Sequence, residues 1–322
     1  MIISKTPFRV SLFGGSTDYE SFYSQNTSLL IGFALDKYCY LLTRKTPKIF
    51  NHKSKIMYSS VETVDNNKDI QHNGVRGTLE FFKIKYGLEI SHLSDLPAQT
   101  GIGSSSSFIV GLSNALYKLK RSKVSKKQLA EEAIYIERTL LAEVGGIQDQ
   151  IWAAYGGMNS IHISKDGSFE VKRLPISDSL VEEFFNRSIL IHTGKTRRSY
   201  KIAKAHDDKS AISHKKRIAS IAHRGYQKFT EGDIDGIGHL LNDSWVQKQK
   251  ISSLISNPSI NSMYQELQVD GMIGGKLLGT GGQGFIFGIL DSEVDISHVK
   301  SKYKSRYVDC NLSKNGSVII NG

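Results

Sequence analysis

Apolar positions along the chain change spacing from segment to segment, and each spacing predicts an element. Runs rich in Val, Ile, Leu and Phe predict strands at Ile2–Thr6 and Val10–Phe13, on either side of a Pro7-Phe8 break. Two further strands, Ser28–Ala34 and Lys37–Thr43, should flank a turn near Asp36. Leu79, Phe82 and Tyr86 repeat at helical spacing and predict a helix over His72–Tyr86. A second helix starts at Ser104, with Phe108, Leu112, Ala115, Leu116 and Leu119 on its apolar face. Ser125-Lys-Lys-Gln128 has the form of a capping box, opening a helix marked by Leu129, Ala133, Ile136 and Leu140 that Gly145-Gly146 should end. A short helix over Gln148–Ala154 should stop at Gly156-Gly157.

Beyond it, Met158–Ile163 and Glu170–Leu174 predict two short strands around Asp166-Gly167, and Ser188–His192 a third. Ile218, Ile221, Ala222, Gly225 and Phe229 mark one helix, Leu240, Leu241 and Trp245 another, and Ser259–Val269 a third. Strands at Lys276–Leu278, Phe285–Leu290 and Ser317–Ile320 complete the pattern. Helices and strands alternate without βαβ regularity, which favours an α+β fold over a doubly wound one. A chain of 322 residues can carry two ordinary domains. The boundary is expected near 160–180, giving units 1–170 and 171–322.

Composition narrows the class. Hydrophobic content of 39% and charged content of 23% suit a globular protein, and no segment approaches the roughly 18 apolar residues of a membrane span. Met1–Arg9 holds no apolar run of signal-peptide length. The two cysteines, Cys39 and Cys310, form no metal-like pattern, and a reduced, cytoplasmic setting is expected. The formal net charge of +11 points to anionic partners or to a solvated Lys-rich surface. Nucleic acid as a partner would rest on charge alone, because no aromatic-basic interleaving accompanies it. Nothing in the sequence sets the oligomeric state.

Three glycine-rich segments carry the candidate chemistry. Pro97-Ala-Gln-Thr-Gly101-Ile-Gly103-Ser104-Ser105-Ser106-Ser107 runs straight into a helix. Such a turn aims free N–H groups and the positive helix end at a ligand, usually phosphate, though it also reads as a flexible loop with serine caps. It is not a Walker A loop, which ends in Gly-Lys-Ser/Thr. Gly274-Gly-Lys-Leu-Leu-Gly279-Thr-Gly281-Gly-Gln-Gly284 lies between two apolar strands and marks either a hairpin or a close approach of backbone. Pro7-Phe-Arg9-Val-Ser-Leu-Phe-Gly14-Gly15-Ser16-Thr17-Asp18 places an arginine and an aspartate at the two ends of a strand and its loop. Taken alone, Glu137 reads as a solvated helix residue and Asp149 as a helix cap.

In this order the three segments resemble the motifs of the GHMP kinases, the small-molecule kinases that include galactokinase, homoserine kinase and mevalonate kinase. The likeness spans residue 5 to about 290, with Ile102 in place of the motif's Leu and serines at 106 and 107 where alanine is usual. It implies a two-domain α+β fold with the active site in the cleft between domains. It also implies ATP and Mg²⁺ as cofactors, and a phosphate loop of Pro97, Gly101, Gly103, Ser104, Ser105 and Ser106. By the same likeness Glu137 and Ser104 would hold the metal, Asp149 would be the catalytic carboxylate and Arg9 would steady it. Gly14, Gly15, Ser16, Thr17 and Asp18 correspond to galactokinase's sugar-gripping loop but lack its Glu-His pair, which argues against galactose.

The Gly-Gly-x-Thr-Asp form, the run Gly145–Gly157 and Thr193-Gly-Lys195-Thr-Arg197 resemble segments of the bacterial heptose 7-phosphate kinases within this family. That likeness implies a sugar-phosphate substrate converted to a 1,7-bisphosphate on the way to GDP-heptose and surface polysaccharide. Lys195, Arg197 and Arg198 would then meet the distal phosphate, which guanidinium forks bind bidentately. The alternatives are a fucokinase-like or other sugar 1-kinase and a non-catalytic sensor of sugar and nucleotide.

Overall fold

The structure, a computed structural model, describes residues 1–194, 200–208 and 211–321. Its larger sheet contains β1 (Ile2–Phe13), β2 (Ser28–Lys45), β3 (Ser54–Met57), β4 (Val61–Val64), β5 (Leu88–Ser94), β6 (Met158–Ile163) and β7 (Phe169–Arg173). The smaller sheet is built from β8 (Ser188–His192), β9 (Met272–Leu277) and β10 (Phe285–Leu290), and β11 (Val318–Asn321) returns to the larger one. The large sheet runs β11-β1-β2-β5-β3-β4, with β6 on the first half of β2 and β7 beyond it. The small one runs β8-β10-β9 and is antiparallel throughout. Strands and helices are therefore mixed without a parallel doubly wound core, as the periodicity predicts. The boundary expected at residue 170 falls inside β7, and β11 pairs with β1, so residues beyond 170 also build the larger sheet.

Two predicted breaks are absent. Pro7 lies within β1, where a register shift between Pro7 and Phe8 accommodates its missing N–H. Asp36 lies within β2, which is continuous because its inner half is buried and its outer half alternates. The helix expected over His72–Tyr86 covers Asn73–Phe81, with His72 as its cap. Strands β3, β4 and β5, and helices Asp178–Asn186, Tyr200–Asp207 and Ile296–Lys302, lie outside the elements read from the sequence.

The helix Ser104–Leu119 lies against β1 and β2, burying Phe108, Leu112, Ala115 and Leu116 in the core of the large sheet. A separate cluster around Trp245, Tyr264, Leu277 and Ile286 stabilises the small sheet. The two units meet where glycine backbones touch. A Cβ on Gly279 would lie 2.4 Å from Gly101 Cα, and one on Gly284 would lie 2.2 Å from the Thr100 oxygen. No side chain larger than hydrogen fits there, which is why Gly274–Gly284, the third glycine segment in chain order, can be a β9–β10 hairpin and also back the loop that precedes the Ser104 helix.

Candidate active site

A cavity of about 170 Å³ opens at this junction. Its floor is an ion pair. Arg9, buried on β1, donates from Nε to Asp149 Oδ1 and from Nη2 to Oδ2, each at 2.8 Å. Its Nη1 donates to the Gly101 carbonyl at 2.5 Å, tying the carboxylate to the glycine loop that precedes the Ser104 helix. Asp149 lies in the first turn of the helix Gln148–Tyr155, and its side chain keeps 26% exposure. Gly103 precedes the Ser104 helix at φ +79°, a left-handed conformation that suits glycine, and a Cβ there would come within 3.4 Å of Asp149 Oδ2. The free N–H groups of that helix therefore open beside the carboxylate.

Glu137 is 1% exposed and lies in a π-helical turn, Ile136–Leu140, that continues the helix Lys126–Tyr135. π turns often accompany functional sites because they rotate side chains out of the helical register. Ser106 Oγ donates to Glu137 Oε2 at 2.8 Å, and Gln150 and Arg138 approach the same oxygen. Oε1 is buried without a partner among the described residues. Burial raises the Glu137 pKa, with Arg138 and Ser106 acting against the shift. An unpaired buried carboxylate oxygen fits a hard divalent cation, which takes one or two carboxylates together with phosphate oxygens. Ser104, expected beside the metal, is half-buried, and the serine that touches Glu137 is Ser106.

Of the loop Gly14–Asp18, residues Gly15, Ser16 and Asp18 line the cavity. Gly14 and Thr17 shape the loop: Gly14 is at φ +79°, and Thr17 Oγ1 donates to the Gly14 carbonyl at 2.7 Å. Asp18 is 1% exposed, and its carboxylate accepts from the Ser16 and Gln148 backbone N–H groups at 3.1 and 3.3 Å. Burial, with the Asp149 charge adding to it, pushes its pKa up to about 6. Pro97 stays outside the cavity and accepts from Thr100 Oγ1, while Ser105 and Ser106 line it. Lys195, Arg197 and Arg198 lie outside the described residues.

Several cavity residues escaped sequence reading. Lys276 and Lys248 are both buried. Lys276 Nζ donates to the Leu12 carbonyl at 2.9 Å, and Lys248 Nζ to the Leu277 and Gly279 carbonyls at 2.7 and 2.5 Å. Burial and neighbouring cations lower both, Lys276 to about 7. Lys276 sits inside the third glycine segment and could have been noticed there. Lys248, on the predicted helix marked by Leu240, Leu241 and Trp245, and His206, on a helix not predicted, carry no local sign of a site, and only the fold brings them to the cavity.

A carboxylate clamped beside a glycine-bounded helix start, with a second buried carboxylate holding a free oxygen, defines a phosphoryl-transfer enzyme for a small molecule. The comparisons agree. Residues 73–157 match the N-terminal domain of the GHMP kinases and residues 226–309 their C-terminal domain, and the chain belongs to the GHMP kinases. It is 28% identical to D-glycero-alpha-D-manno-heptose 7-phosphate kinase of Campylobacter jejuni, over 98% of this chain and 97% of that one. It is 25% identical to the Arabidopsis thaliana bifunctional fucokinase/GDP-fucose pyrophosphorylase over 64% of this chain and 20% of that protein. Among solved structures, a D-glycero-D-manno-heptose 1-phosphate kinase from Bacteriodes thetaiotaomicron superposes with a TM-score of 0.82 at 19% identity, covering 100% of this chain and 99% of that one. Among the described residues no helix is long and apolar enough to cross a membrane.

Proposed function

We propose that the protein phosphorylates the anomeric hydroxyl of D-glycero-D-manno-heptose 7-phosphate at the expense of ATP, giving the 1,7-bisphosphate for GDP-heptose and surface polysaccharide synthesis. The Arg9–Asp149 pair beside the Ser104 helix carries the catalytic part of this reading. The full-length likeness to the Campylobacter heptose kinase supports the substrate.

In this reading the triphosphate lies along Gly101–Ser106, and the sugar lies between Asp18 and Asp149. Asp149 accepts the proton of the anomeric hydroxyl while the hydroxyl oxygen bonds to the γ-phosphorus and the bond from that phosphorus to the β,γ-bridging oxygen breaks, releasing ADP. With both carboxylate oxygens held by Arg9, Asp149 still has lone pairs free for that proton, because a carboxylate accepts about four hydrogen bonds. Glu137 and a serine of the helix start would hold Mg²⁺, which when bound neutralises phosphate charge. Lys195, Arg197 and Arg198 are proposed to hold the distal phosphate. They precede the helix Tyr200–Asp207, whose Ala203 and His206 line the cavity.

ATP consumption measured against heptose 7-phosphate, fucose, galactose and mannose tests the proposal. Turnover confined to the heptose phosphate is expected. A preference for free fucose would favour the fucokinase-like reading, and binding without turnover a sensor. Arg197→Ala should raise KM for the phosphorylated sugar, lower kcat and leave KM for ATP nearly unchanged, since binding of a remote group can orient the reacting one.

A further inference from the structure

His206 is used by none of the steps above, yet it joins two walls of the cavity. It lies on the helix Tyr200–Asp207, 2% exposed, stacked on Tyr19 with ring centroids 5.9 Å apart. Its Nε2 is 2.7 Å from the Thr280 carbonyl oxygen in the third glycine segment, and its Nδ1 is 2.8 Å from Ser16 Oγ in the loop expected to meet the sugar.

These contacts fix the direction of each bond. A carbonyl oxygen only accepts, so Nε2 carries the hydrogen. Burial, with Lys248, Lys215 and Lys276 nearby, lowers the ring's pKa to about 3, so the imidazole is neutral and Nδ1 is bare. Ser16 must then donate its hydroxyl hydrogen to Nδ1. With that hydrogen committed, the oxygen of Ser16 can only accept from whatever occupies the cavity. Ser16 is itself at φ +79°, uncommon for a residue with a side chain, so the loop holds the hydroxyl in place at some local cost.

We propose that His206 is a positioning residue that sets Ser16 as a dedicated hydrogen-bond acceptor for a sugar hydroxyl. This corner of the cavity therefore receives a donor O–H of the substrate and rejects its phosphate, whose ionised oxygens only accept. The inference rests on the sugar-kinase reading for the identity of the ligand but not for the tautomer.

Two substitutions separate the two ring nitrogens. In His206→Asn the side-chain oxygen replaces Nδ1 and can still accept from Ser16. In His206→Gln the terminal amide replaces Nε2 and can still donate to Thr280, but the Ser16 acceptor is lost. His206→Gln and Ser16→Ala should each raise KM for the sugar about 10-fold, the scale of one neutral hydrogen bond, with KM for ATP unchanged. The double variant should be no worse than either single one, and His206→Asn should retain most of the sugar affinity. Melting temperatures of all four variants show whether any of them merely unfolds. Nitrogen NMR of the ring in the unmodified protein, with no ligand, should show the Nε2–H tautomer at pH 6–8. An Nδ1–H tautomer, or additive losses in the double variant, overturns the proposal. Failure of the wild-type protein to turn over any sugar in the ATP assay counts against the sugar-kinase reading and leaves the tautomer result standing on its own.

Discussion

Arg9 and Asp149, 140 residues apart in sequence, meet through two bonds of 2.8 Å in one planar fork. The fork fixes the orientation of the carboxylate and keeps its open edge toward the cavity. Asp149→Asn should keep nucleotide and sugar affinity while kcat falls by roughly 10²–10⁴, the usual contribution of a positioned proton acceptor. Steady-state kinetics paired with calorimetric binding decides this. Near wild-type turnover would remove Asp149 from proton transfer and leave Arg9 as part of a purely electrostatic site.

The unpaired Oε1 of Glu137 should make metal demand the sensitive readout at that position. Glu137→Gln should raise the Mg²⁺ concentration giving half-maximal rate. Ser106→Ala should do the same more mildly, because its hydroxyl fixes the other carboxylate oxygen. Ser104→Ala is the discriminating variant: an equal shift there would place that serine on the metal, and no shift would make it only part of the helix start.

Gly146 is set against Asp18 so closely that a Cβ would lie 1.8 Å from Oδ2. Gly146→Ala must therefore displace the buried carboxylate. We expect at least a 10-fold rise in KM for the sugar with little change in KM for ATP, read from initial rates. Equal losses for both substrates would mean that the turn supports the whole cleft.

The Asp18 pKa, pushed up to about 6, predicts how sugar affinity changes with pH. An ionised Asp18 accepts sugar hydroxyl protons better than a neutral one, so KM for the sugar should fall as pH rises from about 5 to 7. Asp18→Asn should flatten that dependence. The sign for stability is opposite. A carboxyl raised by burial holds its proton longer in the folded chain than in the unfolded one. Its contribution is therefore full below the ordinary carboxylate value and is lost as pH rises through about 6. A flat KM profile in the unmodified protein would show that Asp18 is ionised throughout or does not touch the sugar.

Sequence alone determined the features that depend on local spacing. The apolar period placed β6, β8 and β10 at their observed bounds and started the helix at Ser104. Half of the Ser125 capping box forms: the Ser125 side chain accepts from the Gln128 N–H, while Gln128 Nε2 donates to Tyr117 and Glu132. The order of the three glycine segments matched the family that the comparisons show. Tertiary structure decided what spacing cannot encode. Pro7 and Asp36 look like breaks, but both lie within continuous strands, at a bulge where Pro7 faces Tyr38 and Phe8 faces Leu35. Glu137, which alone reads as a solvated helix residue, is buried in the π turn Ile136–Leu140. Lys248 and His206 reach the cavity from helices of the second half of the chain. The lowered pKa of the buried Lys248 amine and the hydrogen-bond direction at His206 depend on groups far away in sequence, because burial and electrostatic neighbours are properties of the folded packing and not of any segment.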